Sequence, residues 1–278
     1  MADERALDHI VVATRDLDAA ARRYEALGFT LTPRARHPDH MGTSNRLAQF
    51  ADRNFIELVE VDRPQLLDDH DFAASPPRFT FGAHNRAFLE RAEGMSMLVL
   101  TSDDAHGDAE RFAAAGLGTY APFDFHRRAT LPDGSQVEVS FSLAFATSPA
   151  MPEIAFFVCQ NRFPQHFWKP AFQTHANGAR GIATVYIAAD DPDAHVGFLA
   201  AFSGGTARAV DGGHAVSCGR QEIRVLTPDR IAAIAPGFRR EPSRGPGFAG
   251  IAIAAGGAAP RVTPAEEACG LFIDWRRT

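Results

Sequence analysis

Lysine is nearly absent from this 278-residue chain, so its positive charge is carried almost wholly by arginine. At a net charge of −6 there is no cationic surplus to neutralise phosphates, which argues against a nucleic-acid groove. Cysteine is scarce as well. Cys159, Cys218 and Cys269 lie far apart and form no C-x-x-C pair, which reads as reduced thiols in a cytoplasmic protein. No apolar run approaches the length of a membrane span, and the charged start MADERALDH has no secretory core. No G-x-G-x-x-G leads from a strand into a helix, and neither a P-loop nor a G-x-S-x-G elbow occurs, so nucleotide and serine-hydrolase readings are weak. What the chain does have is length enough for a sizeable core and 22 phenylalanines, a content that suits a cleft for a small, partly apolar molecule.

The stretch from Leu7 to Glu60 organises the rest. Its periodicity predicts a strand (Leu7–Ala13), an amphipathic helix (Leu17–Leu27) and strands near Phe29–Thr32, Asn45–Phe50 and Phe55–Val61. Side chains alternate along a strand, so Leu7, His9 and Val11 are expected on one face, and Phe55, Glu57 and Val59 on another. An imidazole and a carboxylate thus sit among apolar neighbours on the two strands that bracket the unit. A carboxylate so placed must be paired, hydrogen-bonded, protonated or metal-bound. The plain alternative is a His9–Glu57 hydrogen bond that only satisfies polarity inside a cleft.

The unit repeats. Met97–Gly116 registers on His9–Gly28 without a gap, with Asp16 and Asp104 as N-caps and Gly28 and Gly116 past the helix ends. Further strands of this second unit are expected at Thr119–Phe125, Arg128–Leu131, Gln136–Phe145 and Ile154–Gln160, with a Pro132–Ser135 turn. A third copy begins at Ile182–Phe202 and continues through Ala207–Val210, Ala215–Cys218 and Glu222–Leu226. A shortened fourth keeps Phe248–Ala254 and Gly270–Trp275. Two segments stand apart. Asp62–Gly94 is a Pro-bearing insertion, either a lid or a surface excursion with a helix over Asn85–Ala92. Asn161–Gly181 crosses between the halves, with Phe167, Trp168 and Phe172 expected over an inter-domain seam.

A strand-borne D-H-I-V-V, a helix, G-T-S-N and a closing F-I-E-L-V-E, repeated as βαβββ units, resembles the vicinal-oxygen-chelate superfamily, and within it the glyoxalase-like domain proteins. The resemblance implies an α+β fold of βαβββ modules paired into curved, incompletely closed mixed β-sheets, with helices on the outer faces. Residues 1–165 would form one such domain (modules 5–62 and 95–160, a lid-like insertion over 62–94), residues 166–180 a connection, and residues 181–278 a degenerate second domain. The family's metal ligands fall on the first and last strands of a module, which here are His9 and Glu57. The matching places in later units are Met97, Thr184 and Gly250 on first strands, and roughly Phe156 and Arg224 on last strands; none is a usual ligand.

The resemblance therefore implies a divalent metal (Zn, Mn, Fe or Ni) held by His9, Glu57 and a third group. His40 is the first choice for that group, with His37 close behind it and His126 the candidate from unit two. Two histidines and a carboxylate would leave positions open for a substrate with neighbouring oxygens, and would stabilise an enediolate or an activated-oxygen intermediate. Glu57 and Arg128 are then the catalytic candidates, and Asn45, Arg127 and His126 the substrate-binding ones. Arg127 and Arg128 suit a carboxylate clamp, or are solvated hairpin arginines. Thr43 and Asn45 could orient a ligand, or Gly42-Thr43 sets only a backbone kink. His166 and His175 are given no catalytic role, and His106, His195 and His214 are expected to be exposed. Two readings follow: a metal-dependent lyase, isomerase or dioxygenase acting on a small molecule, and a metal-free binding or sequestering protein on the same scaffold. No nucleic-acid or membrane partner is expected, and a homodimer is left open.

Overall fold

The computed structural model describes residues 4–130, 136–257 and 259–277. The first module runs β1 (Leu7–Ala13), α1 (Leu17–Ala26), β2 (Ala35–Arg36), β3 (Ser44–Gln49) and β4 (Phe55–Glu60). After α2 (Phe81–Leu89), the second runs β5 (Gly94–Thr101), α3 (Ala105–Ala114), β6 (Phe123–Thr130), β7 (Gln136–Ala146) and β8 (Ala155–Asn161). A short α4 (Pro164–Phe167) opens the crossing segment. The third module is β9 (Ala179–Ala188), α5 (Asp193–Ser203), β10 (Ala207–Val210), β11 (Gly213–Cys218) and β12 (Gln221–Leu226), closed by α6 (Pro228–Ile234). The fourth keeps β13 (Gly247–Ala255), β14 (Arg261–Thr263) and β15 (Phe272–Arg277).

Local chemistry sets the helix ends. Asp16 accepts the Ala19 N–H at 2.8 Å and Asp104 the Gly107 N–H at 3.0 Å, the side-chain caps expected of both aspartates. Gly28 and Gly116 follow with φ of +89° and +72°, a conformation L side chains rarely adopt. Four expected elements differ. Phe29–Thr32 forms no strand, because Pro33 has no N–H to continue a ladder and pairing resumes at Ala35. Thr119–Phe125 and Arg128–Leu131 are replaced by the single strand β6, paired residue by residue with β7. The insertion helix is α2, four residues earlier than Asn85. The expected Pro132–Ser135 turn lies outside the described residues.

Strand order in the eight-stranded sheet is β2-β3-β4-β1-β5-β8-β7-β6, and in the seven-stranded sheet β10-β11-β12-β9-β13-β15-β14. Each module's first and last strands are parallel neighbours, and two modules meet across antiparallel first strands. The first sheet curls into a half-barrel. One continuous core fills the space behind both sheets: Ile10, Leu17, Tyr24 and Phe112 from the N-terminal half pack in it with Phe202, Ile251 and Trp275 from the C-terminal half. Fully burying each such side chain is worth about 1.5–3 kcal/mol. Phe29 stacks on Trp275 with ring centroids 5.5 Å apart. Asn54, fully buried, holds Ile182 by two hydrogen bonds of 2.9 and 3.1 Å. The helices lie against the packed faces, so the opposite face of the first sheet stays open as a hollow.

Every first strand carries an extra residue at the same place, and β9 carries a second at Arg180. The pairing skips Asp8 and Ser96 where β1 meets β5, and Ala183 and Ala249 where β9 meets β13. A bulge of this kind bends the strand and re-aims the residue after it. That residue is His9, Met97, Thr184 or Gly250, so the gapless alignment of the repeats is also a structural one. The bulge corrects one expectation. Leu7 points into the core behind the sheet and not beside His9 and Val11, because the extra residue at Asp8 reverses the alternation.

Candidate functional site

The hollow of the first sheet is a narrow cavity of about 60 Å³ that opens to solvent at its mouth. Module one lines it with Asp8, His9, His37, Asn45 and Glu57, and module two with Phe125, Phe141, Leu143, Phe157 and Cys159. One wall is polar and the other aromatic.

Glu57 is the centre of the polar wall. It is 6% exposed, and β4 brings it opposite Val11 of β1. Asn45 donates to its Oε1 at 2.6 Å, and the same amide nitrogen lies 3.1 Å from His37 Nε2. His37 Nε2 stands 3.5 Å from Oε1, and His9 Nε2 stands 3.6 Å from Oε2. Burial alone would raise the Glu57 carboxyl; the His37 imidazole, the charge of His9 and the Asn45 amide outweigh it and hold the group below its ordinary range. Among the described residues no hydrogen bond closes on Oε2, which leaves one lone-pair face of a buried anion turned to the hollow. His9 stacks on Phe55 at 4.3 Å with the rings 13° apart, and its Nδ1 is buried without a hydrogen-bond partner, 3.5 Å from Asp8 Oδ2.

His37 reaches the site because its loop is braced. Its Nδ1 lies 2.8 Å from Thr43 Oγ1. Arg63, from the start of the insertion and 6% exposed, donates to the carbonyls of Thr43 (2.7 Å) and His37 (3.2 Å) and to Asp39 (2.6 Å). Gly42 has φ +64°, and a Cβ there would lie 2.6 Å from Leu67 Cβ and 2.8 Å from the Arg63 carbonyl, so the G-T-S-N glycine is required both by conformation and by space.

His9, Glu57, Asn45 and Thr43 are thus brought together. His40 is not. It is exposed on the short 3₁₀ turn Asp39–Met41, its ring against Phe123 at 5.6 Å, while its neighbour His37 faces the carboxylate. His126 is exposed too, because the alternation of β6 that sends Phe125 into the hollow turns His126 away. The side chains of Arg127 and Arg128 lie outside the described residues. The module-two counterpart of Glu57 is Phe157 rather than Phe156: Val11 pairs with Glu57 as Val99 pairs with Phe157, and Phe156 packs in the core behind the sheet. His195 is buried and not exposed, with burial lowering its pKa. Phe167 forms part of the hollow's lining, 5.2 Å from Phe55, and Trp168 packs at 5.9 Å on the same ring, so these two rim the mouth instead of covering a seam.

Sequence reasoning missed Asp8, Cys159 and the phenylalanine wall. A bulge leaves no mark in single-sequence periodicity, which is why Asp8 was not expected beside His9. Cys159 is no thiolate: burial, with the charges of Asp8 and Glu57 close by, pushes it well above the ordinary thiol range.

The donor set can be tested against the metal that the fold implies. Among the described residues no group of three or more His, Cys, Asp or Glu side chains is arranged to hold an ion. The physical reasons are visible. Module two offers Met97 and Phe157 at its ligand places, the two imidazoles address different oxygens of Glu57, and the Asn45 amide turns its N–H toward the gap between His37 and Glu57. As arranged, the residues do not fit the family's centre.

Paired βαβββ modules around an open hollow define the vicinal-oxygen-chelate fold. The family model described as Glyoxalase-like domain matches residues 7–202, and the chain belongs to that family. Among solved structures, a hypothetical protein from Staphylococcus aureus is 14% identical over 99% of this chain and 100% of its own, with a TM-score of 0.71. A triple mutant of 4-hydroxymandelate synthase from Streptomyces coelicolor is 12% identical over 99% of this chain and 92% of its own, with a TM-score of 0.53. Methylmalonyl-CoA epimerase from the same organism, in complex with 2-nitronate-propionyl-CoA, covers 58% of this chain and 99% of its own at 16% identity, with a TM-score of only 0.39. At such identities the likeness is one of fold. No curated protein matches the chain. No helix among the described residues is long and apolar enough to cross a membrane.

Proposed function

We propose that the hollow binds a small molecule with an apolar or aromatic body and a donor-bearing head, a protonated amine foremost, and that Glu57 anchors the head. The observation that carries this reading is the buried Glu57 carboxylate, held ionised, with Oε2 hydrogen-bonded by no described residue and 3.6 Å from His9 Nε2, facing the Phe125, Phe141 and Phe157 wall. A buried anion is costly unless paired. Aromatic faces attract cations and stack on flat apolar bodies. A pocket that is mostly apolar with a few convergent polar groups is the usual form of a small-molecule site.

Glu57 acts as an anchor here and not as a general base. A base works best with a pKa near the operating pH, and Glu57 is held below its ordinary value. His9 and His37 keep the carboxylate charged and fix its direction, and Asn45 occupies the oxygen that the ligand does not use. With Met97 and Phe157 at the ligand places of module two, the binding reading of the scaffold is preferred to metal-dependent lyase, isomerase or dioxygenase chemistry.

Calorimetric titration with phenethylamine, and with phenylpropionate as its anionic counterpart, tests the proposal. The amine is expected to bind, phenylpropionate not to, and Glu57→Gln to weaken the amine at least tenfold while thermal unfolding stays cooperative. Equal binding of both probes, or an unchanged amine affinity in the variant, overturns it. So does elemental analysis showing stoichiometric zinc, manganese, iron or nickel that disappears in His9→Ala, His37→Ala and Glu57→Ala.

A further inference from the structure

The C-terminal sheet repeats the bulge of the N-terminal one, and the residues that follow it open onto a second cavity. This cavity is about 330 Å³, open on one side, and Thr184, Arg208, Ser217, Arg220, Glu222 and Arg276 are among its lining. Thr184 stands where His9 stands in module one, and Glu222 pairs with it as Phe55 pairs with His9. Arg224 stands where Glu57 stands, opposite Tyr186 of β9. The ligand-facing carboxylate of the first module is thus a guanidinium in the third.

The charges around the cavity do not balance. Arg208 donates to Glu222 Oε2 and Arg224 to Glu222 Oε1, each at 2.6 Å. Arg276 donates to Asp274 at 2.8 Å and also reaches the Tyr186 hydroxyl, which donates to the same Asp274 oxygen at 2.8 Å. Arg220, exposed in the β11–β12 turn, has no acidic partner among the described residues, and the nearby Glu4 is engaged by the Gly219 N–H at 3.0 Å. Four guanidiniums therefore meet three carboxylates, Glu4 included, a surplus of one positive charge in a chain whose net charge is −6.

Two neutral groups in the lining are also unclaimed. Thr184 is only 2% exposed, yet its hydroxyl makes no hydrogen bond among the described residues. The Gln221 amide makes none either, and its Oε1 is fully buried. The Thr184 hydroxyl and the Gln221 Nε2–H donors, which make no hydrogen bond among the described residues, are therefore available to a ligand that accepts hydrogen bonds.

We propose that this cavity is a second ligand site, separate from the first, for a small molecule bearing a carboxylate or phosphate group. Arg220 and Arg276 supply the charge and fork-shaped donors that match such oxyanions, and the Thr184 hydroxyl and the Gln221 Nε2–H groups add neutral donors from the lining. Glu222 and Asp274 hold Arg208, Arg224 and Arg276 in place, which lowers the ordering cost of binding. The site does not depend on what the first hollow binds.

The test is calorimetric titration of the full chain with inorganic phosphate and, in a second arm, with succinate. Saturable binding of at least one probe is expected, weakening as sodium chloride rises. Arg276→Gln is expected to reduce affinity at least tenfold. Because that variant also disturbs the Tyr186–Asp274 contact, Thr184→Val and Arg220→Gln serve beside it; each keeps the backbone and is expected to reduce affinity several-fold. Glu57→Gln is expected to leave it unchanged. No saturable binding of either probe, unchanged affinity in Thr184→Val and Arg220→Gln together, or loss of binding in Glu57→Gln overturns the proposal.

Discussion

In the N-terminal sheet the place after the first-strand bulge holds His9, and the facing last-strand place holds Glu57; in the C-terminal sheet the same two places hold Thr184 and Arg224. The backbone device is common to both. A single extra residue turns the next side chain onto the open face in each module. What differs is the charge set there and what surrounds it. Around Glu57 the second module supplies phenylalanines, so the anion is enclosed and few groups compete for it. Around Arg224 the neighbours are Glu222, Asp274 and further arginines, so the charges lie in a more open, ion-paired groove. The comparison teaches that the bulge chooses a position and the residue types decide its chemistry, which is how one scaffold carries unlike sites.

Exchanging the chemistry tests this most severely. Glu57→Arg places the C-terminal residue in the N-terminal hollow and strands a cation beside His9 and His37. A loss of about 3–5 kcal/mol is expected, as when a buried pair is broken, read as a lower urea midpoint; a near-wild-type midpoint would show the hollow to be far wetter than its burial indicates. Phe157→Ala removes the aromatic counterpart of Glu57 and leaves a cavity, costing about 3–5 kcal/mol. The same measurement on Phe156→Ala, one residue away on the core face, is expected to be as large but to spare phenethylamine binding. A shared loss of binding in both would mean that the wall acts through stability alone.

Acid separates the insertion from the rest. His84 lies buried on α2 with its Nε2 3.3 Å from the Ser96 carbonyl, and burial lowers its pKa from 6.5 to about 4. Between those values the unfolded chain takes up a proton that the native chain does not, so stability falls as pH falls through that window, by on the order of 3 kcal/mol in all. His84→Gln should remove that part of the slope in denaturant titrations between pH 4 and 6.5. An unchanged slope would assign it to other groups. Glu57 contributes in the same direction but lower, below the ordinary carboxylate range, since its folded pKa is depressed. The smallest effect expected is at the two loop histidines. His37→Ala leaves the Thr43 hydroxyl without its buried partner, while Asn45 keeps Glu57, and should cost about 1–3 kcal/mol, whereas the exposed His40→Ala should stay within about 0.5 kcal/mol. Equal costs would put His40 in the site after all.

Much of this arrangement was legible in the chain. Aspartates before the helices, glycines after them and the gapless register of Met97 on His9 marked the modules, because caps and turns are decided by neighbours in sequence. Glu57 was legible for the same kind of reason: a carboxylate on the inward alternation of a strand must be paired. His40 was preferred to His37 because nothing local tells which of two histidines, three residues apart in a loop, faces inward. Arg63 decides it by gripping the carbonyls of His37 and Thr43 from 20 or more residues away. Asp8 and the Phe157 register escaped for a related reason, since a bulge exists only against a partner strand.

By itself, then, the order of residues determined the repeat, most strand and helix types, and the presence of a carboxylate among apolar neighbours, all of which follow from interactions within a few residues. Only the tertiary structure decided that His37 joins His9 at that carboxylate, that phenylalanines from a second module close the hollow, and that Thr184 and Arg224 open a groove of opposite charge. Those outcomes depend on strand pairing, bulges and long-range packing, whose free energies are set between segments distant in the chain.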